Sequence, residues 1–156
     1  MAEPLEKGAP LPAFSLPDQD SKLVDSASLL GEGPLVLFFY PRDESAGCTA
    51  EACAFRDQYE ALTDAGATVV GISRDDGERH RRFIARHNLP FRLLTDRGGS
   101  VAKRFGVSSM LGMIPGRSTF IFDERGVLRH QFHSQLQATR HVQQARRIVE
   151  ELAAAR

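Results

Sequence analysis

The chain has 156 residues, 42 % hydrophobic and 26 % charged, which suits a globular fold large enough to bury a core. Twenty Lys and Arg balance twenty Asp and Glu, so no overall field draws it to nucleic acid or to an anionic membrane. No internal repeat or low-complexity linker divides it, and residues 1–156 read as one domain.

The opening stretch MAEPLEKGAPLPAFSLPDQD has acids and prolines but no apolar run. It fits neither a signal peptide nor a membrane span, and a cytoplasmic protein is expected. AFSL and KLVD flank the polar turn PDQDS and predict a small hairpin. PLVLFFY (34–40) is short, continuous and apolar, as for a strand buried on both faces. Pro41 stops it, and a loop leads to a helix expected around Cys48 to Ala65. GATVVGIS is a second buried strand, followed by the helix DGERHRRFIARHN. Its basic stretch, Gly77 to His87, reads as the solvated face of an amphipathic helix. FRLLTD is a third strand, and GSVAKRFGV a short helix with Gly106 as its stop. RSTFIFDERGVLRHQFH predicts a hairpin turning at DERG, and TRHVQQARRIVEELAAAR a docked terminal helix with Val142, Ala145, Ile148, Val149 and Leu152 on one face. Strands alternating with helices, then an antiparallel hairpin, imply an α/β fold: a thioredoxin-like sandwich, with a mixed central sheet and helices on both faces.

Both cysteines, Cys48 and Cys53, fall in FFYPRDESAGCTAEACAFRD, five positions apart. Read as residues alone, they are a disulfide pair, metal ligands or small core residues. On an ideal helix their Cα atoms would lie about 8.6 Å apart, whereas a disulfide needs roughly 4.4–6.8 Å. A cysteine at a helix N-terminus meets unpaired backbone N–H groups and the positive end of the macrodipole, which favour its thiolate. A thiol of pKa near 8.5 is only about 3 % ionised at pH 7, while one lowered to about 6 is roughly 90 % ionised. Gly47 allows close backbone approach, and the hydroxyls of Ser45 and Thr49 can donate near the sulfur. Ser73 and Asp75 end a strand on the side where such sheets carry sites, although an ordinary turn with a cap at Asp76 explains them as well. The five histidines show no compact metal-ligand cluster, and no phosphate loop or nucleotide fingerprint is present, so neither metal nor cofactor is expected.

The segment resembles the active-site segment of peroxiredoxins: Pro, three residues, Thr or Ser, two residues, then Cys, here Pro41, Ser45 and Cys48. CTAEACAFRD is similar to the Q-type, or bacterioferritin-comigratory, branch, which carries a second cysteine five residues on. The resemblance continues in order through AFSLPDQD, GISRDD, HNLPFRLLTDRGGSVAKRFGV and RSTFIFDERG, and GRSTFIFD supplies Arg117 just before a late strand. It implies a thiol-dependent peroxidase acting on hydrogen peroxide and organic hydroperoxides. Cys48 would be peroxidatic and Cys53 resolving, Pro41 would shield the sulfenate, Ser45 would bind the peroxide and thiolate, and Arg117 would hold Cys48 ionised. A thioredoxin or thioredoxin-like partner would reduce the resulting intramolecular disulfide. A monomer is expected, with a weak dimer left open. Two departures stand out. Ser45 replaces the commoner Thr, and SSMLGMIPG (Ser108 to Gly116) lacks the Lys and Tyr that often precede the Arg; its Met110, Leu111, Met113 and Ile114 form a pocket rim, a self-association patch or plain core. Competing readings are a one-cysteine peroxidase with Cys53 structural, a disulfide reductase (disfavoured without Cys-x-x-Cys), and a redox-sensing or chaperone-like thiol protein.

Overall fold

Five consecutive apolar residues make the strand at the centre of the sheet, Leu35–Phe39, and each is at most 2 % exposed. Alternate side chains serve opposite faces: Val36 and Phe38 enter one core, Leu35, Leu37 and Phe39 the other. This computed structural model describes residues 5–31, 33–107, 116–134 and 137–155; the rim residues proposed from Met110, Leu111, Met113 and Ile114 lie outside them.

In chain order the elements are β1 (Ser15–Pro17), β2 (Leu23–Asp25), β3 (Leu35–Phe39), α1 (Ala46–Asp57), α2 (Tyr59–Asp64), β4 (Thr68–Ser73), α3 (Gly77–His87), β5 (Arg92–Thr95), α4 (Ser100–Arg104), β6 (Ser118–Phe122), β7 (Leu128–His133) and α5 (Ala138–Ala154). β1 and β2 pair antiparallel as a separate hairpin, its turn fastened by the Asp18 carboxylate accepting from the amides of Asp20 and Lys22. The remaining strands form one mixed sheet in the order β5-β4-β3-β6-β7, parallel from β3 to β5 and antiparallel across β6 and β7. One face packs against α1, α2, α3 and α5 through Phe55, Leu62, Phe83, Val142, Ala145 and Val149. The other is covered by the β1–β2 hairpin and the short α4, around Phe14, Leu16, Val24, Val101 and Phe105. Helices therefore lie on both faces, as the alternation of elements predicts, though unevenly.

The helix expected over Cys48 to Ala65 is a kinked pair. Gln58, with φ −100° and ψ 3°, separates α1 from α2. Hydrogen bonds run through the kink, from Gln58 N to the Ala54 carbonyl and from Leu62 N to the Gln58 carbonyl. Gly71 in β4 helps to seat α1. A Cβ there would come within 2.7 Å of the Phe38 ring and 2.8 Å of Leu93. Its absence lets the Phe38 ring lie against β4 and stack on Phe55 of α1, with ring centroids 4.5 Å apart.

Candidate active site

β3 delivers the chain to Tyr40 and Pro41, and the loop that follows turns it into α1 with Ser45 as N-cap. Cys48 is the third residue of α1 and is 1 % exposed. The amide of Thr49 donates to the Ser45 carbonyl, so the first turn is closed around the cysteine. Arg117 enters from the residue before β6. In a strand, residues two apart share a face, and Arg117 has the parity of Thr119 and Ile121, which look toward α1 and α5. Its guanidinium forks: Nη2 donates to Cys48 Sγ at 3.4 Å and Nη1 to Glu51 Oε1 at 2.9 Å. Cys48 and Glu51, one turn apart on α1, thus share one cation. Gly47 makes room for it, since a Cβ there would sit 2.7 Å from Arg117 Nη2.

Glu51 is fully buried. Burial pushes its carboxyl up to about 8, against the pull of Arg117 in the other direction. Burial disfavours the Arg117 cation, but the neighbouring Glu51 and Cys48 outweigh it and hold the guanidinium above its ordinary value. The second Glu51 oxygen faces His141 Nδ1 of α5 at 3.5 Å. His141 donates from Nε2 to the Ser134 carbonyl at 3.0 Å, and Nδ1 accepts from the Thr119 hydroxyl at 2.7 Å. Burial depresses the imidazole to about 4, so the ring is neutral and the Glu51 contact is not an ion pair.

A second buried array holds the loop before α1. Tyr40 donates to Asp43 Oδ1 at 2.5 Å, and Asp43 Oδ2 lies 2.6 Å from His80 Nδ1. The other ring nitrogen of His80 is 3.2 Å from the Leu94 carbonyl, so both nitrogens face acceptors. Burial and then Asp43 hold the Tyr40 phenol well above its ordinary pKa, keeping it a donor. The Asp43 amide donates to Asp75 Oδ2 at 2.7 Å, and Ser73 donates to the same oxygen at 2.9 Å. Glu44, next in the loop, has φ 66°, a left-handed conformation costly outside glycine. Its carboxylate meets Arg86 at 3.4 Å and His87 at 3.2 Å, which fixes the turn to α3.

Of the residues singled out in the sequence, Cys48 and Arg117 come together. Cys53 lies within α1, partly exposed, and both cysteines are free thiols. The Ser45 hydroxyl, expected beside the sulfur, donates to the Arg42 carbonyl at 3.0 Å. Pro41 is exposed and lines a cavity of about 240 Å³ with Tyr40, Ser73, Asp96 and Gly116. Asp76 caps α3 by accepting from the Arg79 amide at 2.9 Å, and Asp75 is the residue that reaches the loop. The basic segment of α3 is only in part a solvated face: His80 is 0 % exposed, while Arg79, Arg82 and Arg86 line a cleft of about 380 Å³ with Arg42 and Ser45. Glu51, His141, His80 and Asp43 were not picked out from the sequence. For Glu51 a signal existed, an acid three residues after Cys48 on a face shared with Ala52 and Phe55.

The AhpC/TSA family model matches residues 7–131. "Peroxiredoxin Q, chloroplastic" from Triticum aestivum is 44 % identical over 149 residues, 95 % of this chain and 68 % of that protein. The crystal structure of peroxidoxin BcpB from Mycobacterium tuberculosis superposes with a TM-score of 0.87 at 34 % identity, covering 95 % of this chain and 98 % of that one. A structure addressing the alkyl peroxide reduction activity of the Xanthomonas campestris bacterioferritin comigratory protein matches with a TM-score of 0.79 at 25 % identity, over 90 % and 92 % of the two chains. With this fold and a cysteine and arginine paired at the start of α1, the chain belongs to the AhpC/TSA family and is a thiol-dependent peroxidase of the peroxiredoxin Q type.

Proposed function

We propose that Cys48 is the peroxidatic cysteine and Cys53 the resolving one, in a cycle that reduces hydrogen peroxide and organic hydroperoxides. The observation that carries this is the 3.4 Å approach of Arg117 Nη2 to Cys48 Sγ at the N-terminus of a helix. The Cys48 thiolate attacks the peroxide oxygen distal to R, and the O–O bond breaks with its electron pair leaving on the alkoxide. Cys48 becomes a sulfenic acid and the alkoxide takes up a proton. Arg117 and the first-turn amides stand where charge builds as that bond breaks, which lowers the barrier. Ser45, one turn before Cys48, turns its hydroxyl from the Arg42 carbonyl to the bound peroxide, and Pro41 screens the sulfenate from water. Cys53 then attacks the sulfenate sulfur, a disulfide forms and water leaves. A thioredoxin or thioredoxin-like dithiol reduces that disulfide.

The alkyl peroxide reduction activity of the Xanthomonas campestris protein supports hydroperoxides as substrates here. One sheet shared by both cores supports reading residues 1–156 as a single catalytic domain. Among the described residues no helix is long and apolar enough to cross a membrane. A cytoplasmic setting suits two free thiols. Cys48→Ser tests the assignment. It should abolish peroxide consumption coupled to a thioredoxin system, and unchanged consumption would sink it.

A further inference from the structure

We propose that Glu51 is a positioning residue that exchanges its proton with the redox state of Cys48: neutral while Cys48 is a thiolate, ionised once Cys48 is oxidised. The inference rests on Cys48 being the peroxidatic cysteine. It starts from a charge count in a closed space. Among the described residues, Arg117 is the cation bonded to both Cys48 and Glu51, and Glu51 is 0 % exposed. With the thiolate present, an ionised Glu51 would leave a net negative charge in a dry site. A protonated Glu51 leaves it neutral.

The groups around the carboxyl agree. Arg117, just before β6, donates to its Oε1 and also to Cys48 of α1, while His141 of α5, held by Thr119 of β6, faces its Oε2. His141 donates its Nε2 proton to the Ser134 carbonyl and gives its Nδ1 lone pair to the Thr119 hydroxyl, so the ring offers Glu51 no donor. Glu51 Oε2, 3.5 Å from that nitrogen, is buried without a hydrogen-bond partner among the described residues, a place where a neutral carboxyl costs less than a carboxylate. Burial that lifts this carboxyl to about 8 points the same way.

Oxidation removes the thiolate from Arg117. Glu51 also lies between Cys48 and Cys53, so the unwinding that joins them carries Glu51 toward water. Both changes favour its carboxylate at neutral pH. In balance, Cys48–S⁻ plus HOOH gives Cys48–SOH and HO⁻, and the proton leaving Glu51 converts that hydroxide to water. Disulfide formation then releases a second water. With Glu51 as the source, the protein draws no proton from the medium. Without it, one proton per oxidised thiolate comes from solvent.

The test is stopped-flow proton counting with a pH-indicator dye in weak buffer near pH 7. Reduced wild type and Glu51→Gln are mixed with one equivalent of hydrogen peroxide while thiol loss is followed separately. The expected result is about one more proton taken up per oxidised Cys48 in Glu51→Gln than in wild type. Equal uptake in both, with thiols consumed, would overturn the inference and leave the peroxidase reading standing. Thiols left unconsumed would overturn the Cys48 assignment and this inference with it. If Glu51→Gln does not fold, the infrared difference spectrum of the wild type decides. Loss of a protonated-carboxyl C=O band on oxidation is the expected outcome, and an unchanged carboxyl band the contrary one.

Discussion

Arg117 Nη2 lies 3.4 Å from Cys48 Sγ, although the two residues are 69 positions apart in sequence. The contact exists because Arg117 precedes the strand that pairs with β3, and β3 feeds the loop into α1. A planar fork also lets the same guanidinium hold Glu51, which a lysine cannot reproduce. Arg117→Lys is expected to slow the reaction of reduced protein with hydrogen peroxide by about 10²–10³-fold, the usual loss on removing a donor aimed at developing charge. Stopped-flow kinetics under single-turnover conditions measures it, and a rate within a factor of two of wild type would remove Arg117 from the site.

Gly47→Ala separates helix stability from site geometry. Alanine is the better helix former by up to about 1 kcal/mol, yet its Cβ would meet Arg117 Nη2 at 2.7 Å. The peroxide rate should fall about tenfold or more, as for a misplaced catalytic contact, while the thermal midpoint holds or rises. Joint measurement of rate and melting checks this. A full rate would mean that the guanidinium tolerates displacement.

The loop before α1 depends on Asp43, which joins Tyr40, His80 and Asp75. Asp43→Ala leaves the buried His80 ring and the Tyr40 hydroxyl without their carboxylate partner, at a cost of about 1–3 kcal/mol for each unsatisfied group. Urea unfolding of the reduced protein reads the loss directly. A change below about 1 kcal/mol would show the array to be incidental.

Glu51 also makes stability depend on pH. Its folded pKa of about 8 lies above the ordinary carboxylate value, so the unfolded chain releases this proton first. Stability therefore declines as pH rises from the ordinary carboxylate pKa to about 8, by about 2 kcal/mol between pH 6.5 and 8. His133 and His141, lowered by burial to about 4, act in the opposite sense. Their contribution is present above the ordinary histidine value and is lost as pH falls toward 4. Reduced protein should be most stable near neutrality, and Glu51→Gln should lose the decline toward pH 8. Urea midpoints across this range test it, and parallel curves for the two proteins would contradict it.

Much of the fold was legible because its signals are local. The run from Pro34 to Tyr40, the turn in DERG and the one-sided apolar face of α5 each announce an element within a short window. Cys48, Pro41 and Ser45 stand close together in the chain, and the peroxiredoxin resemblance is what singles out Arg117, just before a late strand. The residues that were missed are those whose meaning is set by distant partners. His80 looked like part of a basic helix face until the fold brought Asp43 and the Leu94 carbonyl to it. His141 sat among arginines and glutamines, and only the packing of α5 on β6 turns it toward Thr119 and Glu51. The Ser45 hydroxyl could not be placed either, because a rotamer choice between the Arg42 carbonyl and the sulfur leaves no sequence trace.

The two thiols are held apart by α1, and an ideal helix puts such Cα atoms about 8.6 Å apart, too far for a disulfide. In the proposed two-cysteine cycle, joining Cys48 to Cys53 would therefore require the first turns of α1 to loosen. Amide hydrogen exchange over residues 47–55 should quicken in the oxidised protein, and equal protection in both redox states would argue against unwinding.

Peptide mass spectrometry after one equivalent of hydrogen peroxide tests the two-cysteine cycle most directly. A Cys48–Cys53 disulfide within one chain is the predicted product. A stable sulfenic or sulfinic acid on Cys48, with Cys53 still a thiol, would contradict it.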